Sequence, residues 1–322
     1  MRVFSGIRPT GDIHIGNYLG AIKQWLKLQD AADCVFCIVD WHAITTPYDP
    51  KKIQQYIQEL ALTYLVAGLD PKKSILFVQS QIKEHAELAW FLGTVVSTGE
   101  LFRMTQYKEK SAELRQSASA GLLNYPILMA ADILLYQTDI VPVGQDQKQH
   151  VEFAREIARR FNKKFGKTFK LPKAHLPKIG AKIMSLQNPN KKMSKTGDTK
   201  GCIGLFDSQN EIKEKIMSAV TDPGKEIKYE PIKKPGISNL LTIYSLFSGR
   251  SIKDLEEEFE GRGYEEFKKY LANLLIESLE PFRQAKKQYS EKQIQEILNN
   301  GTQRAREIAQ KTIEQTRKNM GL

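Results

Sequence analysis

Cysteine is nearly absent from this 322-residue chain, which holds only Cys34, Cys37 and Cys202. Three thiols cannot supply the four-thiolate set of a structural zinc site or an iron–sulfur cluster. Cys34-x-x-Cys37 looks like half a metal site, but no second pair completes it. The pair sits in the apolar run 34–39, which reads as a buried strand, where residues three apart point to opposite faces. Both thiols therefore read as small core residues, and no protein-bound metal is expected. Long hydrophobic runs are missing too: no stretch approaches the roughly 20 apolar residues of a membrane-spanning helix. The first residues, Met1-Arg2-Val3-Phe4-Ser5-Gly6, lead into glycines and polar residues without an apolar signal core. A cytoplasmic protein with no membrane partner is expected. Internal repeats and low-complexity tracts are also absent from the sequence.

What is present is positive charge in one place. The chain carries a net charge of +11. Residues 151–200 hold fourteen Lys plus Arg against three Asp plus Glu, so this one segment matches the whole excess. Such a concentration suits a polyanionic ligand, although a solvated lysine-rich surface has the same composition.

The order of elements predicts an α/β fold. Strands are expected at 2–5, 33–39, 74–79 and 140–143. Helices are expected at about 16–29, 50–67, 85–96, 121–136 and 146–165. Strands alternating with helices give a doubly wound parallel sheet, whose ligands bind beyond the carboxyl ends of the strands at the switch point. After about residue 201 only helices follow, at 211–220, 238–247, 252–259, 264–278 and 303–319. Two domains are expected, at 1–200 and 201–322. The second is smaller and all-helical, and its last helix could pack back on the first.

Two stretches carry phosphate chemistry. Pro9-Thr10-Gly11-Asp12-Ile13-His14-Ile15-Gly16-Asn17 falls between the first strand and first helix, where backbone amides and the helix dipole favour an anion. Gly16 has no Cβ, so a flat base can approach the backbone, and His14 and Asn17 can donate to phosphate oxygens. Lys191-Lys192-Met193-Ser194-Lys195-Thr196-Gly197 places two lysines three apart on a polar loop, suited to charge building on a leaving pyrophosphate. A glycine-rich connection and an exposed basic linker are the plainer alternatives. A third stretch, 125–136, puts Asp132 in an apolar helix. A buried carboxylate is costly without a partner. A neighbouring helix could supply one, and so could a substrate N–H, since ionised Asp only accepts.

Taken together, His14-Ile15-Gly16-Asn17 and Lys192-Met193-Ser194-Lys195-Thr196 resemble the two signatures of the class I aminoacyl-tRNA synthetases, His-Ile-Gly-His and Lys-Met-Ser-Lys-Ser. Each departs in its last residue, but Asn keeps a donor and Thr keeps the hydroxyl. Residues 125–136 and 137–150 resemble the pocket of the bacterial members that take tryptophan, the tryptophan–tRNA ligase family. The likeness covers nearly the whole chain, including Gly6-Ile7-Arg8-Pro9, Asp40-Trp41-His42-Ala43-Ile44-Thr45, 104–110 and 234–241.

The resemblance implies a Rossmann-like catalytic domain and a helical anticodon-binding domain. It implies that Asp132 accepts an indole N–H, that Phe4 and Met129 enclose the ring, and that Tyr125 and Gln147 orient the polar end of the amino acid. Arg8, Pro9, Thr10, Gly16 and Asn17 then line the ATP site, with Gly144, Gln145 and Asp146 near the ribose and the backbone of Ile183 at the adenine. Met193, Ser194 and Thr196 belong to the same ATP loop. Lys110, Lys192 and Lys195 hold the triphosphate, beside the catalytic His14 and Asn17. Some bacterial relatives have Gln where this chain has Arg8. His42 falls beside the pocket, where a structural role is equally open.

By the same resemblance, the reaction is attack of the L-tryptophan carboxylate on the α-phosphorus of ATP. Mg²⁺ accompanies the pyrophosphate, and the aminoacyl group passes to tRNA(Trp). No iron–sulfur cluster is expected, and a homodimer is. The alternatives are a tyrosine–tRNA ligase of the same fold, a nucleotidyltransferase with a similar turn, and a non-catalytic RNA-binding or tryptophan-sensing paralogue.

Overall fold

The computed structural model describes residues 1–11, 13–114, 118–176, 183–194 and 200–322. Five strands form one sheet: β1 (Arg2–Ile7), β2 (Asp33–Ile38), β3 (Ile75–Val78), β4 (Ile140–Pro142) and β5 (Lys173–His175). Their order is β3-β2-β1-β4-β5, and every pairing is parallel. Both faces are covered, which is why the central strands read as continuous apolar runs and not as alternating ones. The register Val3↔Cys34 and Gly6↔Cys37 places the two cysteines as the period of two requires. Cys34 joins one core with Phe36, Ile38, Leu60 and Tyr64, and Cys37 joins the other with Val35, Phe77, Ile133 and Phe161.

The core on the Cys34 face continues into the helices after residue 200, through Leu240, Phe267 and Leu275. The final helix, Glu291–Met320, joins both cores, with Ile294 and Leu298 in this one and Ala305, Ala309 and Ile313 in the opposite one. It also lies against β3, where Arg304 Nη1 donates to Pro71 O at 2.7 Å and to Ser74 O at 3.0 Å. Thr302 Oγ1 donates to Gln81 Oε1 at 2.6 Å. At Gly301 the helix backbone touches the strand, and an added Cβ would stand 1.8 Å from Leu76 O. Only glycine permits that approach.

Several elements differ from the sequence expectation. β5 was not expected, because Lys173-Ala174-His175 offers no apolar run and pairs at the sheet edge with β4 alone. The helices Thr98–Phe102 and Thr105–Leu114 were also not expected. The first helix is broken by a π-helical turn, Tyr18–Ile22, between Ile15–Asn17 and Lys23–Leu26. The last two helices are longer than their apolar periods suggested. Tyr264–Gln288 runs through Pro281, and Glu291–Met320 starts twelve residues before the expected 303. Its start is a capping box, with Ser290 and Gln293 satisfying each other's amides. Among the described residues, no helix is long and apolar enough to cross a membrane.

Candidate active site

The strand order reverses between β1 and β4, and a cleft of about 370 Å³ opens there, beyond the carboxyl ends of both strands. The end of β1 contributes Phe4 through Arg8, and the end of β4 contributes Val141 through Gly144. The helix Ala120–Leu135 crosses the cleft and lends it Tyr125, Met129, Asp132 and Ile133. Gln106 and Lys110 enter from the helix Thr105–Leu114, with the Lys110 ammonium 5.4 Å from the centre of the Tyr125 ring. His42 and Thr45 close another side.

Among the described residues lining the cleft, Asp132 is the one deeply buried carboxylate, 1% exposed. Its Oδ2 lies 2.7 Å from His42 Nε2. Its Oδ1 accepts from Gln79 Nε2 at 2.7 Å and meets His85 Nδ1 at 2.7 Å. Burial pushes the carboxyl up, but the His42 and His85 rings outweigh burial and hold it well below the usual carboxylate range. An ionised carboxylate only accepts, so all three neighbours donate. Of its roughly four lone-pair positions, these bonds use two on Oδ1 and one on Oδ2. The remaining Oδ2 position belongs to the oxygen shared with His42, a residue that also lines the cleft.

Tyr125 and His150 form a second polar pair, with Tyr125 Oη 2.9 Å from His150 Nε2. Burial lifts the Tyr125 phenol to about 12, against the pull of Arg8. His150 is 1% exposed. Burial, reinforced by the Lys110 and His42 charges, pushes its imidazolium down to about 4, so the ring is neutral at pH 7.

The glycine turn and the lysine loop are brought together beside this cleft. Ile15 N donates to Ile203 O at 3.0 Å and Leu205 N to Ile13 O at 2.9 Å, so segment 203–205 clamps the turn. His14 Nδ1 accepts the Gly16 amide at 3.1 Å, which leaves the neutral ring's proton on Nε2. Asn17 Oδ1 accepts the His14 amide at 3.3 Å, leaving its amide nitrogen as the donor. A Cβ on Gly16 would stand 2.9 Å from His14 Nδ1 and 3.7 Å from Ile183 Cβ. Met193 N donates to Ile183 O at 3.0 Å, and both side chains are 2% exposed. Asn239 bonds Met184 in both directions, each at 2.9 Å, and so ties this loop to the helix Pro235–Ser248.

Of the residues expected at the amino acid, Phe4, Tyr125, Met129, Asp132 and Gln147 all line the cleft. So do Arg8, Lys110, Gly144 and Asp146 from the ATP set. Pro9, Thr10 and Gln145 are chain neighbours of cleft residues. His14, Gly16, Asn17, Ile183 and Met193 form the adjoining group, with Lys192 and Ser194 exposed at its edge. Lys195 and Thr196 lie outside the described residues. Sequence reasoning missed Gln79 and His85. The signal was there: an Asp in an apolar helix needs donors, and a Gln closing a strand or a His in an apolar helix can supply them. It gave no individual role to Gln106, Val141 or Asn239, although each falls in a stretch that carries the resemblance.

The basic segment is partly committed to the fold. Arg160 forms a two-pronged pair with Glu100, both contacts 2.8 Å, and Arg155 donates to Leu171 O at 2.9 Å. Lys163, Lys164 and Lys167 stay exposed. Among the described residues, no group of three or more His, Cys, Asp or Glu is placed to hold a metal ion.

The sequence pattern of the tRNA synthetases class I (W and Y) matches residues 1–280. The chain is 52% identical over 322 residues to the tryptophan–tRNA ligase of Caldanaerobacter subterraneus subsp. tengcongensis, covering 100% of this chain and 98% of that one. It is 49% identical to the tryptophan–tRNA ligase of Bacillus anthracis, covering 99% and 98%. The crystal structure of Campylobacter jejuni tryptophanyl-tRNA synthetase complexed with ADP and tryptophan superposes with a TM-score of 0.87. Its identity is 39%, over 100% of both chains. That of Mycoplasma pneumoniae gives 0.90 at 36% identity, over 100% and 97%.

Proposed function

This chain belongs to the class I tRNA synthetases of the tryptophan and tyrosine group, and from that premise we propose that it activates L-tryptophan with ATP and transfers it to tRNA(Trp). The observation that carries the choice of amino acid is Asp132: an ionised acceptor with one lone-pair position left, in a cleft walled by Phe4, Met129 and Val141. An indole offers a flat apolar body and a single N–H donor, which matches that arrangement.

The tryptophan carboxylate is already an anion, so the first step needs positioning and charge stabilisation more than proton transfer. It attacks the α-phosphorus of ATP in line, and pyrophosphate leaves. Tyr125 and Gln147 orient the amino acid's polar end, while Arg8 and Lys110 face the phosphates from the cleft. The donor side of His14, carried on Nε2, and the amide nitrogen of Asn17 serve the triphosphate. Pro9, Thr10, Gly16, Gly144, Gln145, Asp146, Ile183, Met193, Ser194 and Thr196 complete the nucleotide site, and Lys192 and Lys195 take the charge that builds on pyrophosphate. Magnesium comes with the nucleotide. In the second step a 3′-terminal ribose hydroxyl of the tRNA, the 2′ one by class resemblance, attacks the carbonyl of the tryptophanyl-adenylate, loses its proton and takes the aminoacyl group as AMP leaves.

Residues 1–200 act as the catalytic part and 201–322 as the part that reads the tRNA. The exposed Lys163, Lys164 and Lys167 meet RNA backbone, with salt-sensitive affinity. The protein works in the cytoplasm as a homodimer. An apolar groove of about 720 Å³, walled by Trp41, Ile44, Ala89, Trp90 and Leu128, supports pairing there, since Trp90 is 76% exposed.

The test is amino-acid-dependent exchange of labelled pyrophosphate into ATP with tryptophan, tyrosine and phenylalanine. Exchange with tryptophan alone is expected. Exchange with tyrosine instead would overturn the reading of Asp132, and no exchange at all would make the chain a binding protein.

A further inference from the structure

We infer that His85, a residue that cannot touch the substrate, is the positioning residue that makes Asp132 a one-donor filter for the amino-acid side chain. The inference rests on the reading of Asp132 as the indole acceptor. His85, Gln79 and Tyr136 are all 0% exposed, and none of the three lines the cleft. They stand behind Asp132 and fix what it can do.

The proton order follows from the contacts. Tyr136 Oη lies 2.8 Å from His85 Nε2, and burial among neighbouring acidic groups keeps the phenol protonated. The phenol can donate to Nε2 or accept from it, but the ionised carboxylate on the other side of the ring can only accept, so His85 carries a proton on Nδ1. That nitrogen is 2.7 Å from Asp132 Oδ1, so His85 can only donate there. Gln79 is oriented in the same sense, because its Oε1 accepts the Trp41 amide at 3.1 Å and its Nε2 then faces Oδ1. Two donors fill Oδ1, and the ligand is left with Oδ2.

The support is rigid. Tyr136 stacks on the cleft residue Phe4, with ring centres 5.6 Å apart and planes 8° from parallel. Phe77 packs on both Tyr136 and His85, at 5.5 and 5.9 Å. A carboxylate held this way cannot turn its oxygens or take up a proton to suit a ring that lacks an N–H.

The experiment compares tryptophan with its benzothiophene analogue, in which sulfur replaces the indole N–H. Preference is the ratio of kcat/KM in pyrophosphate exchange. In His85→Phe the preference is expected to fall about 10–100-fold, the worth of a charge-assisted hydrogen bond. The fall should come as a higher KM for tryptophan, with kcat changed less than about threefold. Asn can place an amide nitrogen near the position of Nδ1, so His85→Asn should recover most of the preference. Tyr136→Phe should lower it by an intermediate factor, and it carries the decision if His85→Phe does not fold. Preference unchanged in a folded His85→Phe, or rates lost equally for both substrates, overturns the inference. Asp132→Asn separates the two readings. If it keeps the parent's preference, Asp132 is not the acceptor and both fall. If it loses the preference while His85→Phe retains it, only the role of His85 falls.

Discussion

Replacing Gly301 by Ala should destabilise the protein, although helix propensity alone argues the opposite. In an ordinary helix interior the change from Gly to Ala stabilises by about 1 kcal/mol. Here the new Cβ would stand 1.8 Å from Leu76 O and 2.7 Å from the carbonyl carbon, and the obstacle is backbone, which cannot rotate away. Normal contact needs the helix to withdraw by roughly 1.5 Å. That withdrawal breaks the bonds from Arg304 to Pro71 O and Ser74 O and from Thr302 to Gln81, now 2.6–3.0 Å. Three such bonds are together worth about 3 kcal/mol. Loosened packing at Ala305 and Ala309 adds about 1 kcal/mol, and the propensity gain offsets about as much. The net loss is about 3 kcal/mol, or roughly 4–5 °C in melting temperature for a chain of this size. The effect should reach the cleft, because Thr302 braces the turn Gln79–Gln81 and Gln79 donates to Asp132. Circular-dichroism melting with the KM for tryptophan reads both. A Gly301→Ala protein that melts at or above the parent temperature would refute the close-contact reasoning.

Asp132→Ala leaves Gln79, His85 and His42 without their acceptor and should raise the KM for tryptophan on the order of 100-fold; an unchanged KM removes Asp132 from the pocket. Gly16→Ala forces the His14 ring off its amide, since the Cβ would meet Nδ1 at 2.9 Å. Pyrophosphate exchange should drop on the order of 10²-fold in kcat while the melting temperature barely moves, which exchange kinetics beside calorimetry would show. His150 gives a pH signature. Its folded-state pKa, about 4, lies below the ordinary histidine value, so the unfolded chain takes the proton first. The stabilisation is complete above about pH 6.5 and is lost as pH falls toward 4, at about 3 kcal/mol in all. His150→Gln should flatten urea-unfolding stability across that window. The Glu100 carboxyl, drawn down to about 2 by Arg160, contributes only below about pH 4.5. A variant that keeps the parent's slope between 6.5 and 4 would assign that slope to other groups.

The central strands were legible because they are buried on both faces and bounded by glycine and proline turns. β5 was not, since Lys173-Ala174-His175 is a strand only through its pairing with β4. The early start of the last helix was hidden by Asn299, Asn300 and Gly301, which lower propensity just where the fold needs a residue without a side chain. At the site, residues on single motifs could be read directly, as with His14, Asn17 and Asp132. The donors behind Asp132 could not. Gln79, His85 and Tyr136 are scattered across fifty-odd positions, and only the packing of β3 on two helices brings them together. The demand for partners was visible in the sequence, and their identity was not.

The covering of β3 by Glu291–Met320 bears on how the protein is made. β3 is the outermost strand on its side, and its exposed backbone is a template for pairing with another chain until the helix arrives. Roughly two hundred residues separate Gln79 from that helix, which at ribosomal speed is on the order of 10–40 s. In the later part of that interval, once Gln147 has been made, the residues that line the cleft are present but the segment that braces Gln79 is not. A nascent chain therefore depends on whatever shields that edge, a chaperone or the ribosome surface, until the last helix of the described fold has been synthesised.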